Sequence, residues 1–164
     1  MMKREFPEYL TTYFSTKNIN TFTPVQEKAL NSGVLEGKSM LICSPTASGK
    51  TLVATFAISK AVEQGKALYL VPLKALANEK YNEYKALFEN TDYSVTMSTG
   101  DIDSSPEPLA KYNLIILTVE KLDSLIRHGA SWLDNVKTVV VDETHLLNDT
   151  SRGPTLEIVM TLLK

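Results

Sequence analysis

The chain has 164 residues, 43% hydrophobic and 22% charged, enough length and apolar content for one domain with a true core. Its 17 basic and 19 acidic residues give a net charge of −2, so bulk charge offers no support for nucleic-acid binding and any such surface must be local. No apolar run approaches the roughly 20 residues that span a bilayer and no apolar core follows the basic N-terminus, so neither a membrane span nor export is expected and a cytoplasmic location is the default.

Two short helices are expected first, over residues 6–14 and 24–31. A strand follows at 39–43, where the single cysteine, Cys43, stands in an apolar run and reads as a buried thiol. One cysteine excludes an internal disulfide and a multi-cysteine zinc site. Next come a helix over 50–64 stopped by Gly65, a strand at 67–71, and a helix over 73–88 behind Pro72. A strand at 93–98 leads into a polar loop, 99–111, containing Pro106 and Pro108. The series continues with a strand at 114–118, a helix over 119–128 stopped by Gly129, and a strand at 138–141. A last helix is expected from Pro154, which suits a first-turn position. The strands are short continuous apolar runs, as in sheets covered on both faces. Their alternation with helices predicts a three-layer, mostly parallel α/β sheet.

Ser44-Pro45-Thr46-Ala47-Ser48-Gly49-Lys50-Thr51 lies between an expected strand and an expected helix. That is the setting of a phosphate-binding loop, in which backbone N–H groups and a helix N-terminus face the anion. Gly49 permits close backbone approach, Lys50 reaches the β- and γ-phosphates of ATP, and the Thr51 hydroxyl ligates Mg2+. Ser44 departs from the motif, whose first position is usually glycine or alanine. Downstream, Val139-Val140-Val141 runs into Asp142 and Glu143. Asp142 can hold the magnesium and Glu143 can activate the attacking water. Alone, such a pair also reads as a helix cap with a solvated neighbour; after a phosphate loop it completes an ATP–Mg2+ site. His128 reads as a solvent-facing helix end.

With both motifs in place the chain resembles the DExH branch of superfamily-two helicases, and most closely the Ski-like group that includes the archaeal fork-unwinding helicases. The resemblance runs from about Phe22 to Leu163. It implies a RecA-like first motor domain over residues 1–164, with 1–38 a helical lead-in. Thr23-Pro24-Val25-Gln26 resembles the motif whose glutamine reads adenine, a carboxamide offering one donor and one acceptor. Pro72 and Lys74, Thr99 and Gly100 (before Asp101), and Thr118 and Lys121 fall in three motifs that in the family contact the nucleic-acid backbone. His145 and Arg152 fall in positions that couple the nucleotide loop to the rest of the motor, with Arg152-Gly153-Pro154 packing the last helix.

The resemblance also implies what lies beyond Lys164. The family's Ser-Ala-Thr strand follows soon after and sits centrally, between the phosphate-loop strand and the Asp142 strand. The sheet is therefore expected to lack one central strand, leaving a gap or a direct pairing of those two. A second motor domain, in cis or in trans, carries the arginine finger, which accelerates hydrolysis by roughly 10³–10⁵. The 164-residue chain is expected to bind ATP with feeble turnover and no unwinding. Its partners are single-stranded or forked DNA or RNA, with no membrane. The competing reading is a non-catalytic nucleotide- or nucleic-acid-binding remnant, against which the retained Glu143 argues. A small-molecule kinase or GTPase is a third, disfavoured by the absent Asn-Lys-x-Asp guanine signature.

Overall fold

The computed structural model describes residues 5–45, 47–100 and 106–143. Thr46, Asp101, His145, Arg152 and the helix expected from Pro154 lie outside them.

Among the described residues four strands form one sheet: β1 (Lys66–Val71), β2 (Val95–Ser98), β3 (Leu114–Thr118) and β4 (Val136–Val141). Their order is β2-β3-β1-β4 and every pairing is parallel. The described residues also form five α-helices: α1 (Glu8–Thr16), α2 (Pro24–Asn31), α3 (Lys50–Val62), α4 (Lys74–Leu87) and α5 (Val119–Arg127). Short 3₁₀ turns cover Glu107–Lys111 and Ser131–Asn135.

The expected alternation therefore holds, and its reason is visible on β1 and β3, which are buried along their whole length. Successive strand side chains point to opposite faces. Ala67, Tyr69, Val71, Leu114 and Ile116 pack against Ile58, Ala61 and Val62 of α3, Ala77 and Tyr84 of α4, and Leu10 of α1. Leu68, Leu70, Ile115 and Leu117 pack the other way, against Leu122 and Leu125 of α5 and against Trp132. The Trp132 indole N–H donates to the Pro106 carbonyl at 2.9 Å, which satisfies its polar edge. Helix α5 opens on Thr118, whose hydroxyl accepts the Lys121 N–H, and stops before Gly129 at φ +66°.

Helix α3 is apolar on two sides and is covered on both. Leu52, Val53 and Phe56 face away from the sheet and meet Ala29 and Leu30 of α2 together with Val34. Phe6, Phe14 and Phe22 close around Phe56, with ring centroids 5.6, 6.3 and 5.5 Å from it.

Two expectations are corrected here. Residues 39–43 do not form a strand, and Cys43 is exposed rather than buried. The segment keeps only half of a strand's environment. Met40 and Ile42 turn inward onto the α2–α3 cluster, while Leu41 is 76% exposed. A ladder needs a neighbour about 4.8 Å away. Among the described residues nothing pairs with this segment or with the outer edge of β4. Of the two outcomes expected for the sheet, the direct pairing does not occur among the described residues, where β4 is an edge strand paired with β1.

Because every pairing is parallel, all four strands end on one side of the sheet. Leu70 is level with Val141, Val71 with Thr118, and Ser98 with Leu117. In open α/β sheets this carboxyl edge is where ligands bind.

Phe56 has no exposed surface. Phe56→Ala is expected to destabilise the chain by about 3–5 kcal/mol, read as a lowered denaturant midpoint in a chemical unfolding curve.

Candidate functional site

The phosphate-loop candidate is the turn that enters α3. Gly49 is its N-cap, in the left-handed conformation at φ +88°. Ala47 is also left-handed, at φ +63°. Three non-glycine residues have positive φ among the described residues: Asn18, Ala47 and Glu143. Asparagine tolerates that region. The other two stand in the two loops where sequence places nucleotide chemistry, and such strain, of order 1–3 kcal/mol, gathers at functional sites.

Within the loop the Ser44 and Ser48 hydroxyls are 2.6 Å apart. The Lys50 ammonium donates to the Ser44 carbonyl at 2.6 Å and the Pro45 carbonyl at 3.1 Å. These are neutral acceptors. A polyphosphate at the same helix end would offer charged ones, to which hydrogen bonds are roughly twice as strong. The residues present therefore fit a polyphosphate. Thr51 is half-buried in the first turn of α3.

Gln26 is 5% exposed, and its carboxamide is engaged within the protein. Its Oε1 accepts the Thr23 N–H at 2.8 Å, its own N–H reaches the Thr23 hydroxyl, and its Nε2 donates to the Gly49 carbonyl at 3.1 Å. The Thr23 hydroxyl donates to the Ser48 carbonyl at 2.9 Å. The donor that sequence offered to adenine thus binds α2 to the phosphate loop, while the acceptor closes the capping box of α2. Thr23 was missed as a site residue, although Thr-x-x-Gln has the spacing of a capping box.

The acidic pair follows β4. The Asp142 N–H continues the ladder to the Leu70 carbonyl at 3.1 Å. Oδ1 accepts the Glu143 N–H at 2.9 Å, and Oδ2 accepts the Tyr69 hydroxyl at 2.9 Å. A carboxylate has about four acceptor positions, so Asp142 retains the capacity to hold a hydrated cation. Glu143 is exposed, at φ +57°. Burial, then the neighbouring Tyr84 and Asp142, pushes the Tyr69 phenol above its usual range, so it remains a protonated donor. The Tyr69 and Tyr84 rings lie 5.7 Å apart. The Tyr84 and Thr55 hydroxyls are 3.2 Å apart, and the Thr55 hydroxyl donates to the Thr51 carbonyl at 3.0 Å. Tyr69, Tyr84 and Thr55 carried no sequence signal beyond that of core residues.

The candidates for nucleic-acid contact also line the carboxyl edge. Pro72 follows β1, Thr99 and Gly100 follow β2, and Thr118 ends β3. Lys74 is exposed at the start of α4, and Gly100 is exposed. Thr118 is buried as the cap of α5. Lys121 is 2% exposed, so in this fold it is a buried residue of α5 rather than a surface cation.

This arrangement is the RecA-like α/β domain of nucleotide-driven motors. The model for the DEAD/DEAH box helicase family matches residues 23–164, and the chain belongs to that family of ATP-hydrolysing helicases. The ATP-dependent DNA helicase Hel308 of Pyrococcus abyssi is 52% identical over 147 residues, covering 88% of this chain and 20% of the relative. That of Pyrococcus horikoshii is 51% identical, covering 94% and 22%. Hel308 is an archaeal superfamily-two helicase of the Ski-like group. The chain spans about a fifth of the length of these relatives. Among solved structures, the DUF1998 helicase MrfA superposes with a TM-score of 0.82 at 28% identity, over 99% of this chain and 27% of that one. A hypothetical ATP-dependent RNA helicase from Sulfolobus tokodaii is 21% identical with a TM-score of 0.77, over 95% and 47%, and shares the fold.

A Cβ built on Gly49 would lie 2.2 Å from Gln26 Nε2, which its hydrogen bond to Gly49 holds in place. Gly49→Ala is expected to cost about 1–2 kcal/mol for the left-handed backbone plus the displacement of Gln26. In a double-mutant cycle with Gln26→Ala, measured by denaturant unfolding, the two changes should couple by roughly 1 kcal/mol.

Proposed function

We propose that this chain is the ATP-binding first motor domain of an ATP-dependent helicase that moves along single-stranded or forked DNA. The observation that carries the reading is the position of Lys50 at the half-buried N-terminus of α3, with Asp142 and Glu143 at the carboxyl edge of the sheet on which α3 packs. In this reading Ser44, Thr46, Ala47, Ser48, Gly49, Lys50 and Thr51 hold the phosphates. Thr51 and Asp142 hold Mg2+, which neutralises charge on the phosphates when bound. Glu143 activates water and Gln26 stands beside the adenine end. Pro72, Lys74, Thr99, Gly100 and Thr118 supply the backbone track. Lys121 joins it only if it leaves its buried position. His145 and Arg152 couple the two functions.

DNA is favoured over RNA because the relatives at about 50% identity are named DNA helicases, and a second MrfA structure, 28% identical with a TM-score of 0.73 over 88% of this chain and 22% of that one, is described as bound to DNA and AMPPNP. A second motor domain, in cis or in trans, completes the engine and supplies the arginine finger. The alternative, a binding remnant without turnover, predicts that Glu143 is dispensable.

Binding of a fluorescent ATP analogue with Mg2+ tests the reading. Lys50→Ala should weaken it roughly 10- to 100-fold, the worth of a charged hydrogen bond of about 1.5–3 kcal/mol. Glu143→Gln should bind normally and lose whatever slow phosphate release the chain has. The 164-residue chain should not unwind a forked duplex. Equal phosphate release by Glu143→Gln and the unaltered chain would favour the remnant.

A further inference from the structure

Tyr69 lies in the middle of β1, where its neighbours Ala67, Leu68, Leu70 and Val71 are core residues. A tyrosine in a fully buried strand needs a partner for its hydroxyl. Here the partner is the carboxylate of Asp142, one strand away and just past the end of β4. The ring is fixed by two neighbours. Tyr84 lies 5.7 Å from it, the Lys80 ammonium stands 6.0 Å from its centroid, and Lys80 is itself held by Glu83 at 3.1 Å. The phenol therefore reaches Asp142 from a rigid base. Glu143 N–H donates to the other oxygen, so the carboxylate is gripped from both sides.

The same base reaches the other candidate metal ligand. Tyr84 meets Thr55, and Thr55 bonds the Thr51 carbonyl. Thr51 and Asp142, on different elements, are thus tied to two neighbouring tyrosines, Tyr69 on β1 and Tyr84 on α4, whose rings are tilted 55° to each other.

We propose that Tyr69 is a positioning residue for magnesium. Its hydroxyl holds the Asp142 carboxylate in the orientation that receives the hydrated cation of the nucleotide complex. The proposal rests on the Mg2+–ATP reading given above. Groups that orient metal-binding carboxylates typically govern affinity by 10- to 100-fold. A hydroxyl serving only to staple β1 to β4 would affect stability and leave metal dependence unchanged.

The test is the magnesium dependence of nucleotide binding by the whole 164-residue chain, followed with a fluorescent ATP analogue at graded free Mg2+. Tyr69→Phe removes one oxygen and keeps the ring. It should raise the Mg2+ concentration for half-maximal binding by roughly tenfold, with nucleotide affinity in EDTA unchanged. Tyr9→Phe removes a half-buried phenol hydroxyl that donates to the Ser59 carbonyl at 3.5 Å and leaves the bond to Asp142, and its midpoint should match that of the unaltered chain. An unchanged midpoint in Tyr69→Phe, or an equal shift in both variants, overturns the proposal.

If Tyr69→Phe fails to fold, 3-fluorotyrosine incorporated in place of Tyr69 keeps the hydroxyl and reports through ¹⁹F NMR. Its resonance should move when Mg2+ is added to the nucleotide-bound chain, and a resonance that stays fixed overturns the proposal. If the unaltered chain binds no nucleotide in the presence of Mg2+, the functional reading fails first and takes this inference with it.

Discussion

Helix α3 is covered on two sides, and the rest of the domain depends on that. One face carries Ile58, Ala61 and Val62 against the sheet; the other carries Leu52, Val53 and Phe56 against the lead-in. A helix buried on opposite faces cannot shift without opening one core or the other, and close-packed interiors resist both. Its first turn is the phosphate loop, so this loop starts from a fixed point. The N-terminal segment thereby acquires a role that its modest length conceals: Phe6, Phe14 and Phe22 enclose Phe56, while Thr23 and Gln26 hold the carbonyls of Ser48 and Gly49.

The parallel sheet supplies the second fixed point. Parallel pairing brings Val71, Ser98, Thr118 and Val141 to one edge, so the residues that follow them gather there. Between that edge and α3 stand Tyr69 and Tyr84. They carry hydroxyls through an otherwise apolar layer, one to Asp142 and one to Thr55. Polar groups placed there must be paired or they destabilise the fold, which ties the geometry of the acidic loop to the packing of the core.

Most of the architecture could be read from the chain. The bounds of α2 and β3 match the expected 24–31 and 114–118, and the other described α-helices and strands differ by a few residues at their ends, while the two 3₁₀ turns were not expected. Burial explains the success, since β1 and β3 are covered on both faces and their continuous apolar runs have one reading. Residues 39–43 carry the same kind of run and form no strand. Strand formation needs a neighbour, and an apolar run does not say whether one is present. Cys43 is exposed for the same reason, because its segment is covered on one side only.

At the site, the identities of Lys50, Thr51, Asp142 and Glu143 followed from short motifs, because phosphate and magnesium chemistry demands those residue types at fixed places beside a strand and a helix. The conformations followed less well. Gln26 turns its amide to Gly49, and Lys121 is buried, because each joins contacts with residues distant in the chain or in a packed layer. Sequence by itself determined the alternation of strands and helices and the two loops that carry charge, which depend on local order along the chain. Only the tertiary structure decided that α2 grips the phosphate loop, that Tyr69 holds Asp142, and that the phosphate-loop segment stands apart from the sheet. Those facts depend on which residues meet across 23 positions, across 73, or not at all.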